Sequence, residues 1–274
     1  EKAGQDLGFE VIKLAVPDAE KTLAAIDTLA AQRVQGFVIC TPDVRLGPAI
    51  VAKARAAGMK FMTVDDQFLG ADGAIMDSVH HLGVAARDVG HVSGQALWDE
   101  FSKRGWPLEE TAACIVTFEE LDTARQRTEG IIERLVERGF PRARIFKTPQ
   151  KTTDIPGSFD AANILLTQHA DVKYWLAAGM NDTATLGAVR ALEGRGFTAQ
   201  TALGVGINGT DCIDEFKKEN ATPFFGSILM EANVHGYDTT AAVYKWVAEG
   251  VEPAMARFTG GDRKSTCLNS SHRT

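Results

Sequence analysis

Short apolar runs rich in β-branched residues alternate along the chain with longer segments in which apolar residues recur at helical spacing. The runs predict strands buried in a sheet, and the longer segments predict helices packed on it. Their regular alternation is typical of an α/β fold with a parallel, doubly wound sheet. The predicted strands cover 9–16, 36–40, 61–64, 112–117, 144–147, 172–178, 203–207 and 224–229. The predicted helices cover 19–32, 46–57, 81–105, 123–138, 159–169, 183–195, 212–219 and 234–249.

The series starts anew after the long predicted helix 81–105, which indicates two α/β lobes. Trp106-Pro107 ends that helix, and a second series of strands and helices follows. We assign 1–85 plus 231–258 to an N-terminal lobe and 86–230 to a C-terminal lobe. The opening residues predict the last turns of a helix that ends at Gly8, so we expect a truncated start. Residues 262–274 have no periodicity, and we interpret them as a non-native tail.

Composition argues against several classes of function. The formal net charge is -7 and no strongly basic stretch offsets it, so no nucleic-acid partner is expected. No apolar run is long enough to span a bilayer. The four cysteines lie far apart without a CxxC pair, which favours neither a zinc site nor a disulfide framework. Three of them lie in or beside apolar runs, where we expect free, buried thiols. Neither a metal nor a cofactor is expected.

Polar residues follow the carboxyl ends of four predicted strands. They are Asp65 and Asp66 after 61–64, Thr123 and Arg127 after 112–117, Asn181 (with the apolar Met180 before it) after 172–178, and Asn208 after 203–207. Parallel strands gather such residues at one edge of each sheet, where open α/β sheets bind their ligands. Carboxylates accept hydrogen bonds from hydroxyl groups, arginine donates a planar pair, and asparagine does both. The pattern predicts a polyhydroxyl ligand, held in a cleft if the two lobes face each other.

Each of these residues also has a purely local explanation. The two aspartates could turn the chain, Asn181 could cap a helix, and Asn208-Gly209 could form a turn. Arg127 could belong to a surface ion pair. The stretch 204–209 fits G-x-G-x-x-G, but its first two glycines fall inside a predicted strand, so nicotinamide binding is disfavoured. His80 and His81 are interpreted as part of a polar linker, and no nucleophile–base pair is evident.

Six segments carry a resemblance to a known family. They are 6–13, 36–43, 64–68, 120–125, 179–182 and 206–209. In order and without large gaps from position 1 to about 253, they resemble the L-arabinose-binding proteins of bacterial ABC importers. The resemblance implies a type 1 periplasmic binding protein with two lobes, a ligand cleft between them and no enzymatic activity. It also implies that the first and last strands of that family are missing here.

The resemblance also implies roles for individual residues. Asp66 would accept hydrogen bonds from the sugar, with Asp65 beside it, and the second lobe would bind hydroxyl groups through Arg127, Asn181 and Asn208. The residues implied to line the pocket are Cys40, Leu121, Thr123, Met180 and Val84. The family often has a larger methionine at the position of Val84, so the smaller side chain could admit a hexose such as D-galactose or D-fucose.

The resemblance further implies the partners and the location. The expected ligand is L-arabinose or a related monosaccharide, and the expected partner is the membrane permease. We expect a monomer in the periplasm whose signal peptide precedes the sequence. Two alternatives remain. The chain could be the sugar-sensing domain of a transcription regulator that has lost its DNA-binding segment, or an α/β oxidoreductase using the glycine motif.

Overall fold

The computed structural model describes residues 1–16, 18–230, 232–259 and 266–268. In chain order the helices are α1 Lys2–Leu7, α2 Ala19–Ala31, α3 Gly47–Ala56, α4 Ala86–Arg104, α5 Asp122–Glu137, α6 Ile155–Gln168, α7 Asp182–Gly194, α8 Ile213–Phe216 and α9 Ala232–Glu249. The strands are β1 Gly36–Ile39, β2 Lys60–Asp65, β3 His81–Val84, β4 Thr111–Thr117, β5 Ile145–Pro149, β6 Tyr174–Gly179, β7 Ala202–Asn208, β8 Phe224–Leu229, β9 Ala256–Thr259 and β10 Thr266–Leu268.

The described residues form two compact units. The first unit comprises Glu1–Val84 and 232–259, and the second comprises Ala85–Met230 with 266–268. Each unit is built on its own sheet with helices packed against it, as the alternating pattern predicts. The first unit is therefore made of two separate pieces of chain, and the second is nearly continuous.

The first unit contains a parallel sheet whose described strands run in the order β1-β2-β3-β9. On one face, Ile26 of α2 and Ile50 of α3 are buried with Phe68. On the other face, Met62 and Leu82 pack against Val243 of α9. Both faces are thus covered, which is the usual condition for a parallel sheet.

The second unit contains a larger sheet with the described order β10-β8-β7-β6-β4-β5, parallel except at β10. One face buries Trp175 beneath α6 and α7, together with Leu165 and Leu192. A second, smaller cluster forms where Val189 of α7 packs with Phe224 of β8. Helices α2, α6 and α7 begin at side-chain caps, and at the start of α6 the side chain of Asp154 accepts the Gly157 N–H at 2.8 Å.

Several sequence predictions were wrong in detail. Residues 9–16 form no strand and pair with no strand of the described residues, and Leu14 is exposed. The predicted helix 81–105 begins as β3, since four consecutive buried residues are compatible with either structure. Strands β9 and β10 were not predicted. The interpretation of 262–274 as a non-native tail stays a prediction: of these residues only 266–268 is described, and it pairs antiparallel with β8.

Helices α4 and α5 of the second unit approach each other closely at glycines. A Cβ atom on Gly90 would lie 2.1 Å from the carbonyl oxygen of Arg127, and one on Gly130 would lie 2.3 Å from that of Arg87. Both distances are shorter than any real contact, so only glycine permits this packing. The position of the helix turn that carries Arg127 thus depends on the absence of a side chain at Gly90.

We expect Gly90→Ala to lower the free energy of unfolding by about 1–3 kcal/mol, because the added methyl group must push α5 away from α4. Urea unfolding would measure the change. Gly194→Ala is the matched control: Gly194 ends α7 with open space around it, and alanine should stabilise the protein by about 0.5–1 kcal/mol. Equal effects of the two substitutions would contradict this account of the helix contact.

Candidate functional site

The carboxyl edge of the first unit's sheet carries two adjacent aspartates. Asp65 is the last residue of β2, and Asp66 follows it and is buried. Asp65 has a φ angle of 70°, a left-handed conformation that residues with a side chain rarely adopt. Among the described residues three non-glycine positions have positive φ, and two of them, Asp65 and Asn208, belong to the predicted site. Such strain is typical of functional positions.

Two further predicted residues lie at neighbouring strand ends of the first unit. Cys40 directly follows β1 and is exposed, which contradicts the expectation of a buried thiol at this position. Cys114 and Cys212 are buried thiols, as expected, and the side chain of Cys267 lies outside the described part. Val84 ends β3 and is buried. Because β1, β2 and β3 are adjacent, Cys40, the aspartates and Val84 share one edge of the sheet.

His81 does not belong to a polar linker, as was expected, but begins the buried strand β3, one strand away from Asp65. Its Nδ1 is 2.8 Å from the hydroxyl oxygen of Thr63, and the ring is only 1% exposed. A Cβ atom on Gly83 would lie 2.4 Å from the Nε2 of His81, so the imidazole occupies the space over that glycine. Burial lowers the pKa of His81 to about 4, although the Asp65 carboxylate acts in the opposite direction. The ring is therefore neutral at pH 7.

In the second unit, Arg127 and Met180 come together although they lie on different elements. Arg127 is buried on α5 and does not lie at the surface, and its guanidinium donates to the carbonyl oxygen of Met180 at 3.4 Å. Leu121 occupies the N-cap position of α5, and Thr123 lies in its first turn. The first turns of α5 thus place Leu121, Thr123 and Arg127 near the ends of β4 and β6.

Asn181 has the capping role that the sequence offered as an alternative. Its Oδ1 accepts the backbone N–H of Ala184 at 2.9 Å and the hydroxyl of Thr183 at 2.8 Å. These bonds fix which way the amide group faces, because its oxygen is engaged with the helix. The NH2 group of Asn181 is left to donate elsewhere, so capping and ligand binding are compatible.

Asn208 combines a turn with strained backbone. It is the last residue of β7, its φ angle is 117°, and Gly209 follows with a φ of 80°. The glycines of the G-x-G-x-x-G match at 204 and 206 lie within β7, so they form no phosphate-binding loop after a strand. Gly206 is instead required by packing, since a Cβ there would lie 2.3 Å from Oδ1 of Asp182.

Each unit therefore presents hydrogen-bonding groups at the carboxyl edge of its own sheet: acceptors in the first, and an arginine with two asparagines in the second. The described residues contain no group of three or more His, Cys, Asp or Glu side chains able to hold a metal ion. Within the same ranges, no helix is long and apolar enough to cross a membrane. The arrangement suits recognition of hydroxyl groups.

Comparison with known proteins gives one family and two close relatives. The family described as periplasmic binding proteins and sugar binding domain of LacI family matches residues 1–267. The L-arabinose-binding periplasmic protein of Escherichia coli (strain K12) is 55% identical over 92% of this chain and 77% of that protein. An ABC transporter L-arabinose-binding periplasmic protein of Azospirillum brasilense is 46% identical over 94% of this chain and 78% of that protein.

Solved structures share the fold at low sequence identity. A solute-binding protein from Actinobacillus succinogenes 130z with bound D-allose matches with a TM-score of 0.76 and 17% identity, covering 99% of this chain and 90% of that one. The arabinose-binding component from Shewanella sp. ANA-3, bound to α- and β-L-arabinofuranose, matches with a TM-score of 0.72 and 17% identity, covering 98% and 85%. At such identity the likeness concerns the fold alone.

The two asparagines should respond differently to substitution. Asn181→Ala removes the cap of α7 and should lower the free energy of unfolding by about 0.5–2 kcal/mol. Asn208→Gly relieves a positive φ and should cause no loss, with a gain of up to about 1 kcal/mol. Chemical denaturation of both variants measures this. A marked loss of stability in Asn208→Gly would show that its backbone is not strained.

His81 should make stability depend on pH. The ring titrates near pH 6.5 in the unfolded chain and near 4 in the folded protein, so the unfolded state takes up the proton first. The stabilisation is complete above about pH 6.5 and is lost as the pH falls toward 4. Between pH 7 and 5 the wild type should therefore lose about 1–2 kcal/mol more than His81→Gln in urea unfolding. If the free energy of unfolding of the two proteins fell equally between pH 7 and 5, this role of His81 would be refuted.

Proposed function

Because this chain belongs to the family of periplasmic binding proteins and sugar-binding domains of the LacI type, we propose that it is the L-arabinose-binding component of a bacterial ABC importer. The observation that carries the proposal is the 55% identity over 92% of the chain to the Escherichia coli L-arabinose-binding periplasmic protein. The Azospirillum brasilense relative, also named for L-arabinose, supports the same ligand.

The proposed ligand suits the groups at the two sheet edges. Asp66 and Asp65 would accept hydrogen bonds from sugar hydroxyls, and Arg127 would donate to sugar oxygens. Asn181, whose amide oxygen is engaged by α7, would donate through its NH2 group, and Asn208 would contribute a second amide. Each hydrogen bond to a charged group adds about 1.5–3 kcal/mol, so a few of them suffice for tight binding of a small polar molecule.

The protein would bind its sugar without transforming it. Both relatives are named as L-arabinose-binding periplasmic proteins, one of them of an ABC transporter, and neither name describes an enzyme. Binding of the sugar would stabilise the form of the protein that the membrane permease recognises. The proposal includes a monomer in the periplasm that binds no nucleic acid.

Val84 bears on which sugar is preferred. A short side chain at the end of β3 leaves more room than the methionine expected from the resemblance, and a hexose carries one carbon more than a pentose. D-Galactose and D-fucose are therefore candidate second ligands. A relative from Pseudomonas aeruginosa named for D-ribose and D-allose is only 24% identical over 92% of the chain, which gives those sugars less support.

A sugar-sensing domain of a transcription regulator is the second candidate. The matching family includes such domains, and a LacI family regulator from Enterococcus faecium with bound ribose shares the fold with a TM-score of 0.71. That structure is only 17% identical, which concerns fold and not function. The much higher identity to two periplasmic proteins favours the transport role.

Calorimetric titration with L-arabinose, D-galactose, D-fucose and D-ribose tests the proposal. We expect L-arabinose to bind, and Asp66→Asn and Arg127→Ala to weaken binding by about 10- to 100-fold, since each removes a charge-assisted hydrogen bond. Asp160→Asn, at an exposed position of α6, is the control and should bind like the wild type. Val84→Met should lower the affinity for D-galactose relative to L-arabinose.

Binding of none of these sugars would refute the proposed function. Tight binding of D-ribose with no response to L-arabinose would move the protein to another sugar class. Unchanged affinity in Asp66→Asn and Arg127→Ala would place the binding site elsewhere in the molecule.

A further inference from the structure

Asp182 is a buried carboxylate between the two asparagines of the second unit, and it is absent from the predicted site. It follows Asn181 directly, as the first residue of α7, and it is 0% exposed. Its Oδ2 accepts the backbone N–H of Gly209 at 2.9 Å, immediately after Asn208. Its Oδ1 accepts the hydroxyl of Ser227 on β8 at 2.5 Å. One carboxylate thus connects the start of α7 to β8 and to the residue that follows β7.

The surroundings of Asp182 are closely fitted to it. Burial raises the pKa of Asp182, and hydrogen bonds from Ser227, Cys212 and the Gly209 N–H act in the opposite direction. The first turn of a helix also favours a negative charge. A side chain at Gly206 would collide with Oδ1, so the strand has glycine where the carboxylate approaches it. These contacts hold the Asp182 side chain in one orientation.

The sheet holds the segment bound by Asp182 from one side only, since β7 stays paired with β8 as far as Asn208 and Leu229 but loses β6 earlier. The paired residues of β6 and β7 end at Ala178 and Val205, before either strand reaches its asparagine. Beyond that point Asn208 adopts a strained φ of 117°. A strained residue keeps its conformation only when its surroundings determine it. The bond from Gly209 to Asp182 supplies such a constraint, and it links the end of β7 to the helix capped by Asn181.

We propose that Asp182 is a positioning residue for sugar binding, which sets the orientation of Asn181 and Asn208 relative to each other. This inference rests on the proposed function, in which both amides bind the sugar. Asp182 touches no ligand in this scheme and acts through its two neighbours. Affinity depends on such preorganisation because a misplaced group binds its partner poorly even when the protein remains folded.

Two substitutions at Asp182 separate positioning from stability. Asp182→Ala removes the acceptor, so the N–H of Gly209 loses its partner. Asp182→Asn can keep the geometry, since the amide oxygen can accept from Gly209 while its NH2 donates to the Ser227 oxygen. Glu215→Ala is the matched control. Glu215 is a buried carboxylate of the same unit that pairs with Arg190 and Lys218, which lie outside the proposed site.

The experiment combines L-arabinose titration, urea unfolding and hydrogen exchange of the sugar-free protein. Asp182→Ala should weaken L-arabinose binding by about tenfold or more and speed backbone exchange at Gly209. Asp182→Asn should stay within about threefold of wild-type affinity. Glu215→Ala should also stay within about threefold, even if its free energy of unfolding falls as much as that of Asp182→Ala. Ser227→Ala, which removes one contact of Asp182, should give a smaller loss of affinity in the same direction.

Equal losses of affinity in Asp182→Ala and Glu215→Ala would overturn the inference, because the effect would then follow stability alone. Unchanged exchange at Gly209 in Asp182→Ala would overturn it as well. If the wild type binds no sugar, the proposed function fails, and the exchange measurement still decides whether Asp182 holds the Asn208 segment. If Asp182→Ala does not fold, a Ser227→Ala protein with wild-type affinity and exchange counts against the inference.

Discussion

A parallel sheet has to be covered on both faces, and this constraint governs the molecule. The strands of both units are buried under helices, so polar side chains that need to meet a ligand have few places to go. The carboxyl ends of the strands are such a place, because there the chain leaves the sheet and its backbone groups no longer form hydrogen bonds with neighbouring strands. The candidate site follows from this: acceptors end the strands of one unit, and amides and an arginine follow the strands of the other.

Local and functional roles coincide at the site. Asn181 caps α7 and Asn208 begins a turn, as the local explanations from the sequence suggested. Neither role engages every hydrogen-bonding group of the side chain. The cap fixes the Asn181 amide so that its donors face away from the helix. At Asn208 and Asp65 the backbone is held in conformations that side chains disfavour, and the surrounding contacts have to maintain them.

The sequence was sufficient for the alternation of strands and helices, for the helix that ends at Gly8, and for the residues at strand ends. It failed where the outcome depends on distant partners. Residues 9–16 are largely apolar like a strand but pair with no strand of the described residues, and the prediction placed the residues of β3 in a helix. The roles of His81 and Asp182 could not be predicted either, because each depends on a partner that is distant in the sequence. Asp182 accepts a hydrogen bond from Ser227, which lies 45 positions further along the chain.

The first unit is assembled from two distant pieces of chain, because β3 pairs with β9. During synthesis, the ribosome completes the whole of Ala85–Met230 before it makes the strand that finishes the first sheet. The second unit can therefore acquire its native pairing while the edge of β3 is still open. Until β9 is made, the unpaired edge of β3 can pair with other chains. At this stage of biosynthesis the chain is therefore prone to aggregation, and chaperones can bind it.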